Sequence, residues 1–312
     1  MTKTAFIFPG QGSQYSGMGL DFVGNFPVFS MVFEEASDRL GFDLLKIVMD
    51  GSDEDLMRTE VTQPALLTVS KAILEVISQE TGLTGDFAAG LSLGEYTALV
   101  YAGALNFADG VVIAKERGRI MQEAVPEGVG AMAPIVGLEY NEVAEFIKEV
   151  KGLGVVEISN FNSPTQVVLS GNTEAVQAAV DLIKKSRRVR AVFLPVSAPF
   201  HTSLLHGASL EFEKILNDYN ILSLGKTVVS NVTALPYTDI SEVKPCLVRQ
   251  FYSTVLWKPS VEFMIENGVD SFVEIGPGTS LSGLVRKTAA AMNRSVNIQN
   301  VENMETFNNL NL

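Results

Sequence analysis

Cysteine is all but missing from this 312-residue chain. Cys246 stands alone, so no intrachain disulfide forms and a cysteine-built metal cluster is excluded. Histidine is nearly as scarce, with His201 and His206 the only two. That count is too low for the usual metal sites, and neither a metal nor a tightly bound cofactor is expected. No stretch reaches the ~18 uninterrupted apolar residues of a membrane helix. Glu95 and Asp109 break the longest one, across residues 88–114. The apolar run at residues 5–8 is too short for a signal peptide and stops at Pro9-Gly10. Positive charge is in short supply too. With 23 Lys and Arg against 36 Asp and Glu the net charge is −13, which argues against a nucleic-acid partner. A cytoplasmic globular protein, off the membrane, is what these shortages leave.

What the chain does have is a repeated order of short apolar run, glycine turn and helical pattern. Residues 5–8 run into Pro9-Gly10-Gln11-Gly12, residues 87–89 into Gly90-Leu91-Ser92-Leu93-Gly94, and residues 272–275 into Gly276-Pro277-Gly278. That order argues for an α/β layer with a mainly parallel sheet. A helix is expected over 65–77, with Pro64 in its first turn. Residues 126–197 read differently. Strands are expected at 131–136, 155–159, 166–170 and 191–196, and helices at 142–150 and 173–185. The second helix is amphipathic through Val176, Ala179, Val180 and Ile183. Pro134 points to an edge position or a bulge, and residues 160–164 to a loop. This β-α-β-β-α-β order is that of the ferredoxin-like unit. The expectation is one large α/β domain over 1–125 and 198–312, with a ferredoxin-like subdomain inserted at 126–197.

Gly90-Leu91-Ser92-Leu93-Gly94 fits G-x-S-x-G, a nucleophile elbow between strand and helix. There the helix N-terminus favours negative charge on the serine oxygen, and the N–H of Leu93 can point at the same place. On these five residues alone, a capping serine at an ordinary turn fits as well. A serine nucleophile needs a base at neutral pH. His201 follows Ala198-Pro199-Phe200, a break after a strand, where catalytic side chains are commonly displayed; His206 is expected in a helix. His201 is therefore the favoured base. A second oxyanion donor must come from another loop, and the N–H of Gln11 is the natural candidate, although a plain tight turn satisfies the same pattern. Arg117 lies in a helical stretch. If it faces the site, its planar fork can hold a substrate carboxylate by two hydrogen bonds; otherwise it is a surface cation. Lys184, Lys185, Arg187, Arg188 and Arg190 form one basic cluster, Arg286 and Lys287 another, readable as solvated helix ends or as a surface for an acidic partner.

Taken together these motifs carry a resemblance. The landmarks are Phe8-Pro9-Gly10-Gln11-Gly12-Ser13-Gln14, Gly90-Leu91-Ser92-Leu93-Gly94-Glu95-Tyr96, Arg117-Gly118, Ser197-Ala198-Pro199-Phe200-His201, Asn231-Val232, Leu247-Val248-Arg249-Gln250 and Glu274-Ile275-Gly276-Pro277-Gly278. Over essentially its whole length the chain resembles the malonyl-CoA:acyl carrier protein transacylases of bacterial type II fatty acid synthesis. The resemblance implies a large α/β-hydrolase-like domain with a parallel sheet plus the ferredoxin-like subdomain. It implies ping-pong transfer of malonyl from malonyl-CoA to the phosphopantetheine thiol of an acidic acyl carrier protein. Ser92 would carry the malonyl ester, His201 would act as base and then acid, and the Gln250 carbonyl would orient the imidazole. The N–H groups of Gln11 and Leu93 would form the oxyanion hole. Arg117 would pair with the malonyl carboxylate, with Phe200, Met121 and Asn162 completing the substrate site. Arg188, Arg190, Arg286 and Lys287 would meet the carrier. Leu91 departs from the family elbow, which usually has histidine there, and removes any polar support that histidine gives.

Three other readings compete. A trans-acting acyltransferase of a polyketide synthase shares every motif. A serine hydrolase predicts an Asp or Glu behind the histidine and no use for Arg117. A non-catalytic carrier-protein binder predicts that Ser92 is dispensable. A monomer is the working expectation for assembly. The asparagine-rich tail over 301–312 gives no clear pattern.

Overall fold

A computed structural model describes residues 2–126, 128–196 and 198–311, apart from the side chains of residues 53 and 151. Its strands are β1 (Lys3–Phe8), β2 (Phe87–Gly90), β3 (Gly130–Val136), β4 (Val156–Ser163), β5 (Gln166–Asn172), β6 (Arg190–Ala191), β7 (Thr227–Val228), β8 (Val269–Ile275) and β9 (Asn297–Val301). They form two sheets. One has the order β7-β2-β1-β8-β9 with every pair parallel. The other has the order β4-β5-β3-β6 with every pair antiparallel. The second is the ferredoxin-like order expected from the sequence.

The parallel sheet follows from unbroken apolar runs. Ala5, Phe6, Ile7 and Phe8 of β1 are all fully buried, two to each face, as a strand covered on both sides requires. Phe6 and Phe8 join one apolar cluster, Ala5 and Ile7 the other. Because the strands are parallel, their carboxyl ends release the chain along one edge. Phe8 pairs with Gly90, and Ile275 is the last residue of β8, so the loops at 9–12, 91–93 and 276–279 emerge side by side. In open α/β sheets this is the edge where ligands bind.

The antiparallel sheet alternates instead. Ala131, Ala133 and Ile135 of β3 face the helices Tyr140–Glu149 and Thr173–Ser186 through Val143, Val176, Ala179, Val180 and Ile183. Met132 and Val168 point the other way and join the main core. The small sheet thus seals its own core with one face and offers the other to the large domain.

Four local expectations need correction. Residues 191–196 form a strand only at Ala191; beyond it a single backbone bond, Leu194 N–H to Met132 carbonyl at 2.9 Å, continues the pairing. β4 runs on to Ser163 through the asparagines read as loop, because its pairing with β5 continues to Ser163 opposite Gln166, and on the other side Phe161 N–H donates to the Val255 carbonyl (2.9 Å) and Val255 N–H to the Ser159 carbonyl (2.8 Å). Pro134 lies in an interior strand in regular register with Val168. The Leu194–Met132 bond shows that alternate peptide groups of β3 turn towards the β6 side, so the N–H that proline lacks faces a neighbour that has already ended. Pro64 sits inside the helix Thr59–Thr81 rather than in its first turn. That helix begins earlier because the Arg58 carbonyl caps it, accepting from Val61 and Thr62 N–H at 2.8 Å each. The tail is ordered through Asn311: Phe307, in the helix Met304–Asn308, meets Phe22 and Phe26 edge-on. Among the described residues no helix is long and apolar enough to cross a membrane.

Candidate active site

After β2 the chain reverses within three residues. Ser92 takes a left-handed backbone, φ +56°, which strains a non-glycine residue and lifts its side chain off the sheet. Close approach fixes the flanking glycines. A Cβ on Gly90 would lie 2.0 Å from the Gly94 carbonyl carbon, and one on Gly94 2.1 Å from the Phe8 carbonyl oxygen. Asn231, just past β7, pins the turn from below. Its Oδ1 accepts from Ser92 N–H at 2.7 Å, and its Nδ2 donates to the Gly90 carbonyl at 2.7 Å.

Ser92 Oγ lies 2.8 Å from His201 Nε2, and His201 Nδ1 lies 2.6 Å from the Gln250 carbonyl oxygen. A carbonyl only accepts, so the proton is on Nδ1 and Nε2 presents its lone pair to the serine hydroxyl. His201 also has a left-handed backbone, φ +60°, and is 4% exposed. Burial lowers its pKa to about 3, the Arg117 charge acting in the same direction and the Gln250 carbonyl against it. The imidazole is therefore a free base at neutral pH. His206, at the head of the helix His206–Asn217, meets Tyr252 edge-on with ring centroids 4.8 Å apart.

Arg117 is 1% exposed. It reaches the site because Gly118 lets the helix Phe107–Glu123 close on the helix Thr59–Thr81; a Cβ there would sit 2.4 Å from the Thr59 carbonyl oxygen. Its Nη1 donates to Gln63 Oε1 (2.7 Å), and its Nη2 to Ser92 Oγ (3.0 Å) and Gln250 Oε1 (2.8 Å). Nε is buried with no partner, and the guanidinium packs on the rings of Tyr96 and Phe251. All of these hydrogen-bond partners are neutral. Burial lowers the pKa of Arg117, but guanidinium still keeps its proton. A buried cation with an unused donor is a site built for an anion that arrives from outside.

These groups open into a cleft of about 200 Å³ between the two sheets. Ser92, His201, Arg117, Gln11, Met121 and Phe200 line it from the large domain, and Met132, Asn160, Asn162 and Val168 from the small sheet. Asn162 Oδ1 is buried without a partner. Gln11 is fixed by its side chain, which donates to Thr59 Oγ1 at 3.2 Å. Leu93 precedes the helix Gly94–Tyr101, so its N–H falls where helices leave donors without an intrahelical acceptor.

The acyl transferase domain model matches residues 5–308. The Malonyl CoA-acyl carrier protein transacylase of Bacillus subtilis is 42% identical over 98% of this chain and 96% of its own length. The chain belongs to this transacylase family. Among solved structures, the malonyl CoA-acyl carrier protein transacylase of Clostridium perfringens superposes with a TM-score of 0.94 at 41% identity, over 99% of this chain and 96% of that one. A malonyl-transacylase in complex with its type II PKS acyl-carrier protein does so at 0.94 and 40%, over 98% and 97%.

In this member of the transacylase family, Leu91 takes the place of the usual elbow histidine. It lines the cleft and packs against the apolar cluster on the large sheet, so hydrophobic contact replaces polar support there. The structure brings Ser92, His201, Gln250, Gln11, Arg117, Phe200, Met121 and Asn162 together. The four basic residues Arg188, Arg190, Arg286 and Lys287 are exposed and lie outside the cleft lining. Arg190 stands four positions before Leu194, which does line it, whereas Arg286 borders a separate hollow with Arg294 and Ile298. Ser197, at the head of the histidine motif, lies outside the described residues. Sequence reasoning missed Gln63, the Asn231 side chain and Glu95. The one available signal was Glu95 itself, a lone acid in the apolar stretch Gly94–Tyr101. No cluster of potential metal ligands occurs among the described residues.

Proposed function

We propose that this protein is a malonyl-CoA:acyl carrier protein S-malonyltransferase that supplies fatty acid synthesis through a malonyl-Ser92 intermediate. The observation that carries this reading is the unbroken relay from Ser92 Oγ through His201 to the Gln250 carbonyl, with a buried Arg117, hydrogen-bonded only to neutral side chains, in the same cleft. In the first half-reaction the malonyl carboxylate pairs with Arg117, which sets the thioester carbonyl over Ser92. His201 Nε2 takes the hydroxyl proton as the oxygen attacks, and Arg117 favours negative charge on that oxygen. The N–H groups of Gln11 and Leu93 stabilise the tetrahedral oxyanion. The imidazolium returns its proton to the departing coenzyme A thiolate. In the second half-reaction His201 removes a proton from the carrier's phosphopantetheine thiol, the thiolate takes the malonyl group, and Ser92 is regenerated.

A transferase reading is favoured over a hydrolase by what stands behind the histidine. It is a neutral carbonyl rather than a carboxylate, which stabilises imidazolium less and suits a thiol better than water. Phe200, Met121 and Asn162 complete the acyl site. The carrier, an acidic protein, docks on Arg188, Arg190, Arg286 and Lys287, a reading supported by their exposure. The catalytic domain spans 1–125 and 198–312 and the subdomain 126–197, a division supported by the switch from parallel to antiparallel pairing. In this reading the enzyme is a cytoplasmic monomer that needs no cofactor or metal. Service to a polyketide synthase is a second reading, favoured by the likeness to a transacylase solved with such a carrier.

Intact-mass analysis after mixing with malonyl-CoA tests the proposal. One malonyl adduct is expected, mapping to the peptide containing Ser92, and none with Ser92→Ala. An adduct that persists in Ser92→Ala overturns it.

A further inference from the structure

Glu95 is 1% exposed and makes no direct ion pair among the described residues. A carboxylate in such a place must be held by hydrogen bonds, and three converge on it. Tyr237 Oη donates to Oε1 at 2.6 Å, Asn231 N–H to Oε1 at 3.2 Å, and Gln250 Nε2 to Oε2 at 2.5 Å. Two of the three donors are the residues that assemble the site. Asn231 holds the two peptide groups that flank Leu91 in the elbow, at Ser92 N–H and Gly90 carbonyl. Gln250 gives its main-chain carbonyl to His201, its Oε1 to Arg117, and a second Nε2 contact to the Ser92 carbonyl at 3.0 Å.

We infer that Glu95 is a positioning residue for the transfer reaction: one buried carboxylate fixes the Gln250 carboxamide, and through it the alignment of Arg117 on Ser92. The inference rests on the proposed malonyl transfer and adds a group that touches no substrate. A free carboxamide at 250 can rotate, and its amino and oxygen ends then exchange places against Arg117. Glu95 opposes this: burial raises its pKa, but in its ionised form its oxygens accept only from the amino end, which the Ser92 carbonyl also holds, leaving Oε1 for the guanidinium. The site thus has a carboxylate after all, one residue further back than in a Ser-His-Asp arrangement.

Glu95→Gln tests this with little change of shape, since the new amide can satisfy Tyr237 and Asn231 only by turning its amino group against Gln250 Nε2. Tyr237→Phe is the control, removing a bond to the same carboxylate without touching Gln250. In the full-length protein the rate of Ser92 malonylation by Glu95→Gln is expected to fall about tenfold to a hundredfold. The KM for malonyl-CoA should change less, and the preference for malonyl-CoA over acetyl-CoA should shrink. Tyr237→Phe should stay near wild type in both. Wild-type rate and preference in Glu95→Gln overturn the inference, and so does an equal fall in both variants, which would mean general loosening. A wild-type protein that never takes malonyl at Ser92 overturns the reading beneath it.

Discussion

The two sheets divide the labour of the site unequally. The parallel sheet delivers chemistry: the loops after β1, β2 and β7 bring Gln11, Ser92 and Asn231 to one edge, held by backbone geometry that tolerates almost no substitution. The antiparallel sheet delivers shape: Met132, Asn160, Asn162 and Val168 line the cleft, and none of them contacts Ser92, His201 or Arg117 by a hydrogen bond. A parallel sheet gathers loops at one end, whereas an antiparallel one offers a face. Reactive groups belong on the first and a wall on the second.

Mutations on the two sides should therefore fail differently. The largest effect is expected at the base. His201→Gln should slow Ser92 malonylation about a thousandfold or more, measured by single-turnover acylation. It should also change the acid stability of the fold. His201 stays neutral down to about 3, while an unfolded imidazole protonates near 6.5. Between those values the unfolded chain binds the extra proton, so wild-type stability should fall as pH falls, by up to about 1.4 kcal/mol per unit. Denaturant titrations from pH 7 to pH 4 should show this contribution in the wild type and its absence in His201→Gln. Next comes Arg117→Ala, expected to cut the preference for malonyl-CoA over acetyl-CoA about tenfold to a hundredfold. Because the readout is a ratio, partial unfolding does not distort it. The smallest effect is expected from the wall. Met132→Ala should shift the ratio of methyl-substituted to plain malonyl loading by about tenfold, while Ser92 remains fully acylable. A Met132 variant that lost acylation itself would erase the distinction between the two sheets.

The sequence was most legible where one residue type was scarce or the backbone was forced. Two histidines made the base a choice between two, and the elbow glycines announced a turn that a Cβ would block. The ferredoxin-like order came through because its helices and strands keep clean periods of burial. What stayed hidden lay in long-range contacts. Asparagines 160 and 162 have the local chemistry of a loop, and pairing with β5 on one side and with Val255, more than ninety residues on, on the other carries the strand through them. Residues 191–196 have the apolar content of a strand but find a partner at only one further point. The Glu95 hub joins residues 136 to 155 positions apart in the chain, a distance that local pattern does not reach.

The stitch at Val255 has one more meaning. Ser159 and Phe161 are tied to Val255 through main-chain bonds, and the next residue, Leu256, donates to the carbonyl of Asn231 at 2.8 Å, directly beneath the nucleophile. Floor and wall are thus laced together by backbone. The spacing between the Ser92 elbow and the Asn160–Asn162 wall is thereby set by main-chain hydrogen bonds rather than by side-chain packing alone.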